Sequence, residues 1–164
     1  RHNGLTDQGK EVIRNLNKLG VLVDVAHGTQ AMVEHAAAAT SKPLLLSHTA
    51  IQGTKAMATD RLNGRQISKD HAKMIAQTGG VIGLWHVVPT LDKYVDEIRE
   101  MVDVVGVDHV GIGTDQQQAG GGLQDYGQFP KLVERMLVSG FTPAECGKLI
   151  GGNFLRIFEQ ATGA

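Results

Sequence analysis

The sequence predicts an α/β fold in which a parallel sheet is covered by helices. Three observations carry that expectation. Helical and extended patterns alternate from one end of the chain to the other. The extended segments are short, nearly continuous apolar runs, the signature of strands buried on both faces rather than on one. The composition also fits, with 21 glycines but only one tryptophan, two tyrosines and four phenylalanines among 164 residues.

Each element has its own local reason. Residues 5–19 set Val12, Ile13, Leu16 and Leu19 at helical spacing, with Thr6 as N-cap and Gly20 as the stop. Residues 21–26 (VLVDVA) form the first strand, and Thr29 caps a helix running through Ala39. Residues 43–47 (PLLLS) form the second strand, and a polar stretch without periodicity covers 49–66. Ser68 caps a helix holding Met74 and Ile75 that closes at Gly79, and residues 80–85 (GVIGLW) form the third strand. The most regular helix carries Leu91, Tyr94, Val95, Ile98, Met101, Val102 and Val105 on one stripe. Residues 109–114 (HVGIGT) form the fourth strand, followed by a glycine- and glutamine-rich loop over 116–128. Pro130 suits the first turn of a helix ending near Gly140, and Thr142-Pro143-Ala144-Glu145 reads as a capping box. A last helix carries Phe154, Leu155, Ile157 and Phe158. No composition break divides the chain, so residues 1–164 read as a single segment.

Composition also narrows the function. Sixteen basic against seventeen acidic residues leave a net charge of −1 without a charge block, which argues against a nucleic-acid partner. The single cysteine, Cys146, excludes an internal disulfide and a cysteine-based zinc cluster, and reads as a small buried hydrophobe. No apolar run is long enough to span a bilayer. The first residue is Arg1, so the compartment is left open.

The candidate chemistry lies where polar residues end the strands. His27 follows the first strand, His48 ends the second and Asp115 follows the fourth. In parallel α/β folds such positions collect on one face of the sheet. Neighbouring strands are about 4.8 Å apart. Imidazoles from the first two could therefore share one metal ion, at about 2.0–2.1 Å each. Spacing alone leaves loop histidines bonded to backbone equally open. Asp24, inside the first strand, could orient a ligand or, as the more frequent arrangement, pair with a basic group in the core. Arg65 could hold a substrate carboxylate by two parallel hydrogen bonds, with Arg61 competing for that role. His86, after the third strand, could touch substrate. His2, His35, His71 and His109 read as surface or structural residues. No lysine-bearing phosphate loop or GxGxxG pattern is present, which removes a nucleotide-binding reading.

In combination, five segments resemble the membrane dipeptidase (renal dipeptidase-like) family of metallopeptidases. They are GLTDQGKEVIRNLNKLGVLVDVAH at 4–27, PLLLSHTA at 43–50, TGGVIG at 78–83, VGVDHVGIGTD at 105–115 and LIGGNFLRIFE at 149–159. The resemblance implies the C-terminal half of an amidohydrolase-like (β/α)8 barrel, strands five to eight, holding two metal ions, usually zinc. It implies hydrolysis of a dipeptide by metal-activated water. His27 and His48 match metal-binding histidines. Asp115 matches an aspartate that lies by the metal pair, is counted with His27 and His48 among the metal-site residues, and shuttles a proton. Arg65, in GRQIS, best matches the arginine that holds the substrate's C-terminal carboxylate.

The same resemblance marks departures. The family's His-x-Asp pair and its metal-bridging glutamate have no counterpart in these residues. The chain is therefore expected to be a fragment, inactive alone, or to need the N-terminal half or another chain over its open edges. A homodimer would bring two identical half-sites rather than the missing ligands. The family's Asp-Phe-Asp-Gly reads Asp115-Gln116-Gln117-Gln118, and its asparagine-aromatic pair after the third strand reads Trp85-His86. Two other readings stay open: an amidohydrolase-like metal hydrolase with a different amide substrate, and a non-catalytic α/β binding module.

Overall fold

The computed structural model describes residues 3–52, 65–115 and 122–163. Four parallel strands form one sheet in the order β1-β2-β3-β4: β1 Val23–Asp24, β2 Leu44–Thr49, β3 Val81–Leu84 and β4 Val110–Ile112. Sequential strands are spatial neighbours, joined by β-α-β connections. Helices α1 (Asp7–Lys18), α2 (Gln30–Ala39), α3 (Lys69–Gln77) and α4 (Leu91–Val105) alternate with the strands. Three more, α5 (Phe129–Val138), α6 (Pro143–Gly147) and α7 (Asn153–Thr162), complete the chain.

The local signals act as the sequence predicts. Thr6, Thr29 and Ser68 each accept a hydrogen bond from a backbone N–H in the first turn of α1, α2 and α3. Thr142 and Glu145 form the reciprocal capping box at α6. Gly20, at φ 70°, lets the chain leave α1 for β1. All four strand boundaries differ from expectation: β3 covers 81–84 rather than 80–85 and β4 covers 110–112 rather than 109–114, and the first two have consequences for the site. The first strand is paired only at Val23 and Asp24 rather than over 21–26, because the chain turns tightly at His27, with Gly28 N–H donating to Val25 O. The second strand runs on to Thr49, so His48 lies within β2 rather than at its end.

Side chains alternate across the strands. Leu44, Leu46, Ile82, Leu84 and Val110 point from one face into the core beneath the helices, where Ile75, Tyr94, Ile98 and Met101 are fully buried. Full burial of such an aliphatic side chain stabilises the fold by about 1.5–3 kcal/mol. On the opposite face Leu45, Ser47, Val81, Gly83 and Gly111 line a cavity of about 520 Å³. This is the face expected to need a cover.

The last helix closes the N-terminal end of the sheet. Asn153 Nδ2 donates to Val107 O and Val110 O at 2.7 and 2.8 Å. Arg156 donates to Gly79 O and Asp108 O, just ahead of β3 and β4. Ile157 is buried, whereas Phe154, Leu155 and Phe158 are exposed. Among the described residues, no helix is long and apolar enough to cross a membrane.

Candidate active site

The site builds up from the C-terminal ends of the strands. His27 sits in the turn after β1 with φ 62°, and Asp115 sits after β4 with φ 43°. They are the only non-glycine residues among those described with positive φ. A left-handed conformation in a residue with a Cβ costs of order 1–3 kcal/mol and persists where the surroundings enforce it. In both cases the residue with the strained backbone is one that the sequence singled out for chemistry.

The two histidines converge. His27 Nε2 and His48 Nε2 are 2.9 Å apart, with ring centroids at 4.7 Å and planes nearly perpendicular. Asp115 Oδ2 lies 3.6 Å from His48 Nε2. On its far side the His48 ring presents Nδ1 to Ser47 Oγ at 2.9 Å. That contact leaves Nε2 as the acceptor nitrogen when Nδ1 carries the proton and donates to Ser47 Oγ. His48 and Asp115 border the large cavity over the sheet, together with Ser47, Gly83 and Gly113. His27 borders a second, polar cavity of about 220 Å³, together with Thr29, Gln52, Arg65, Ser68 and His71.

This donor set suits a divalent metal. Two imidazole nitrogens bound to one zinc ion at about 2.0–2.1 Å each can be no more than about 4 Å apart, and the 2.9 Å separation satisfies this limit. Neutral imidazole and carboxylate are both common zinc ligands. The set is partial: among the described residues no group of three or more His, Cys, Asp or Glu side chains forms a metal-holding cluster.

Arg65 joins the site through Trp85. Its guanidinium carbon lies 5.7 Å from the indole centroid, and the indole lies 5.3 Å from the His48 ring. Arg61, Gln116, Gln117, Gln118 and His2 lie outside the described residues.

Several sequence expectations need correction. Asp24 is exposed, and among the described residues it has no basic partner. Its Oδ1 accepts from Ala26 N and Ser47 N, so it ties the end of β1 to β2 directly behind His48. The strand is too short to bury it. His86 is only 3% exposed, and its carbonyl accepts from Val88 N and Gly122 N, so it packs into the wall rather than facing substrate. The residue facing the site from that segment is Trp85. Its signal was its departure from the family's usual residue there. His35 and His109 are structural: His35 Nδ1 accepts from Leu5 N, and His109 Nδ1 meets Gly80 O at 2.8 Å. His71 and Cys146 are buried.

The sequence model of the membrane dipeptidases (peptidase family M19) matches residues 1–164. The chain belongs to that family. Among curated members it is 29% identical to Dipeptidase verJ of Clonostachys rogersoniana over 97% of this chain and 42% of that protein. It is 28% identical to Dipeptidase 3 of Mus musculus, over 96% of this chain and 33% of that protein. The chain therefore spans well under half the length of these dipeptidases. Among solved structures, an amidohydrolase from Pseudomonas aeruginosa superimposes with a TM-score of 0.89 at 25% identity, over 100% of this chain and 59% of that one. A metallopeptidase from Rhodobacter sphaeroides, solved with a phosphinate mimic of L-Ala-D-Ala, gives 0.85 at 21% identity, over 98% and 48%. Both solved structures thus share this arrangement of four parallel strands and helices.

Proposed function

We propose that this chain supplies the C-terminal half of the active site of a zinc-dependent dipeptidase, and that the remaining ligands come from the part of the barrel that covers its open sheet face. The observation that carries this reading is the convergence of His27 and His48, Nε2 to Nε2 at 2.9 Å, with Asp115 beside them, in a member of the membrane dipeptidase family.

His27 and His48 hold metal through Nε2. Zinc, when bound, supplies a Lewis acid and lowers the pKa of water toward neutrality. Asp115, 37% exposed at the cavity edge, takes a proton from the attacking water and returns it to the leaving amine. Its Oδ2 lies 3.6 Å from His48 Nε2, which places the carboxylate beside the nitrogen that would hold the metal. Arg65 binds the C-terminal carboxylate of the substrate, which selects dipeptides over longer chains. The sheet face lined by Leu45, Val81 and Gly111 packs against the other half of the barrel.

The test is bound metal per chain by elemental mass spectrometry, alongside dipeptide hydrolysis, for the full-length protein and its His27→Ala and His48→Ala variants. The reading expects close to two ions in the parent protein, a lower content in each variant, and hydrolysis only in the parent. Full metal content in both variants would overturn it.

A further inference from the structure

We propose that Trp85 is a positioning residue that sets His48 and Arg65 relative to one another, so that one rigid indole fixes both the metal end and the carboxylate end of the site. This rests on the roles proposed above for His48 and Arg65. The ring is only 6% exposed, at the end of β3. It meets the His48 imidazole at 5.3 Å between centroids, with planes tilted by 54°. The Arg65 guanidinium lies 5.7 Å from its centroid, within range of a cation–π attraction. The backbone reinforces this contact. Trp85 N–H donates to Thr49 O at 2.8 Å, and Thr49 Oγ1 donates to Arg65 O at 3.0 Å. Thr49 is itself fully buried, one residue after His48. Arg65 is therefore held twice from Trp85, once through the ring and once through Thr49. An arginine on an irregular segment would otherwise lose much side-chain entropy on binding a carboxylate. A flat, buried partner removes part of that loss beforehand.

The consequences divide cleanly between the two ends. Replacing Trp85 by Leu keeps an apolar side chain in the wall while removing the π face, and Trp85→Phe restores a smaller one. In the full-length protein, Trp85→Leu is expected to raise KM for a dipeptide about 2- to 30-fold, the range of one cation–π contact. The preference for the dipeptide over its C-terminal amide should fall with it. The affinity for zinc, read by chelator competition, should weaken about tenfold through loss of support for His48. Trp85→Phe should recover part of both. A general loss of stability would lower yield without changing the dipeptide-to-amide ratio.

A second measurement needs no loss-of-function variant. In the wild-type protein labelled with 5-fluorotryptophan, the ¹⁹F resonance that disappears in Trp85→Phe should shift on adding zinc and shift again on adding a dipeptide. A folded Trp85→Leu protein with unchanged amide discrimination and chelator competition would overturn the proposal, as would a ¹⁹F resonance that ignores both additions. If His48→Ala and Arg65→Ala themselves leave metal content and amide discrimination intact, the roles proposed for those two residues fall instead, and the positioning role falls with them.

Discussion

Ser47 Oγ lies 2.9 Å from His48 Nδ1, on the side of the ring opposite His27. Consecutive residues of a strand normally face opposite sides of the sheet. The pairing of β2 with β3 is irregular between Leu46 and Thr49, which coincides with both side chains reaching the same cavity. When Nδ1 carries the proton and donates it to Ser47 Oγ, Nε2 is left as the nitrogen that can ligate. Ser47→Ala is therefore expected to weaken metal affinity about 10- to 100-fold, the usual effect of removing a partner that orients a ligand. Chelator competition on the full-length protein measures it. Unchanged affinity would place the orientation of His48 elsewhere.

The close approach of β2, β3 and the segment after β4 depends on glycine. A Cβ built on Gly83 would collide with the carbonyl oxygen of Ser47, and one on Gly113 would meet the same atom. Both contacts are with backbone, which cannot swing aside as a flexible side chain can. Gly83→Ala must push β3 away from β2 at the level of His48. The expected cost is about 1–3 kcal/mol of stability, typical of overpacking, together with reduced metal content. Chemical denaturation and elemental analysis of the same preparation read the two effects. A variant as stable as the parent would show that the strands have room to separate.

How far the sequence reveals this architecture depends on the range of the interactions. The helices are legible because their caps are local: Thr6, Thr29, Ser68 and Thr142 each bond within their own first turn. His27, His48 and Asp115 are legible as strand-end polar residues, since position along a parallel strand predicts height above the sheet. Asp24 and His86 are misread for one shared reason: their surroundings come from distant segments. Asp24 is satisfied by the N–H of Ser47, and the His86 carbonyl by Gly122, across 23 and 36 positions of sequence. Trp85 falls between these cases. Its identity is conspicuous in the sequence, but its contacts with His48 and Arg65 arise only when β2 and β3 pair.

Tyr94 anchors the middle of the core. It is fully buried on α4, and its hydroxyl donates to Leu84 O at 2.6 Å; burial drives its pKa far upward, so it stays protonated at any working pH. The same carbonyl also accepts from Gly113 N at 2.9 Å. Tyr94→Phe therefore removes one hydrogen bond without leaving the carbonyl unsatisfied. The expected loss is about 1 kcal/mol, read as a lower denaturant midpoint with an unchanged slope. A loss of several kcal/mol would mean that the hydroxyl supports more than Leu84.

His71 makes stability depend on pH. It is buried on α3, its Nε2 has no hydrogen-bond partner among the described residues, and burial pushes its pKa below the ordinary 6.5, outweighing the opposing pull of the Glu34 carboxylate. The unfolded chain therefore binds the proton at a higher pH than the folded one. The stability this imidazole contributes is complete above about 6.5 and declines as the pH falls below it, until the folded state also takes up the proton. His71→Phe keeps a buried ring of similar shape and removes the titration. The melting temperature of the parent is expected to fall between pH 7 and pH 5 by more than that of the variant. Parallel declines in the two proteins would show that His71 is solvated, or protonated without penalty, in the folded state.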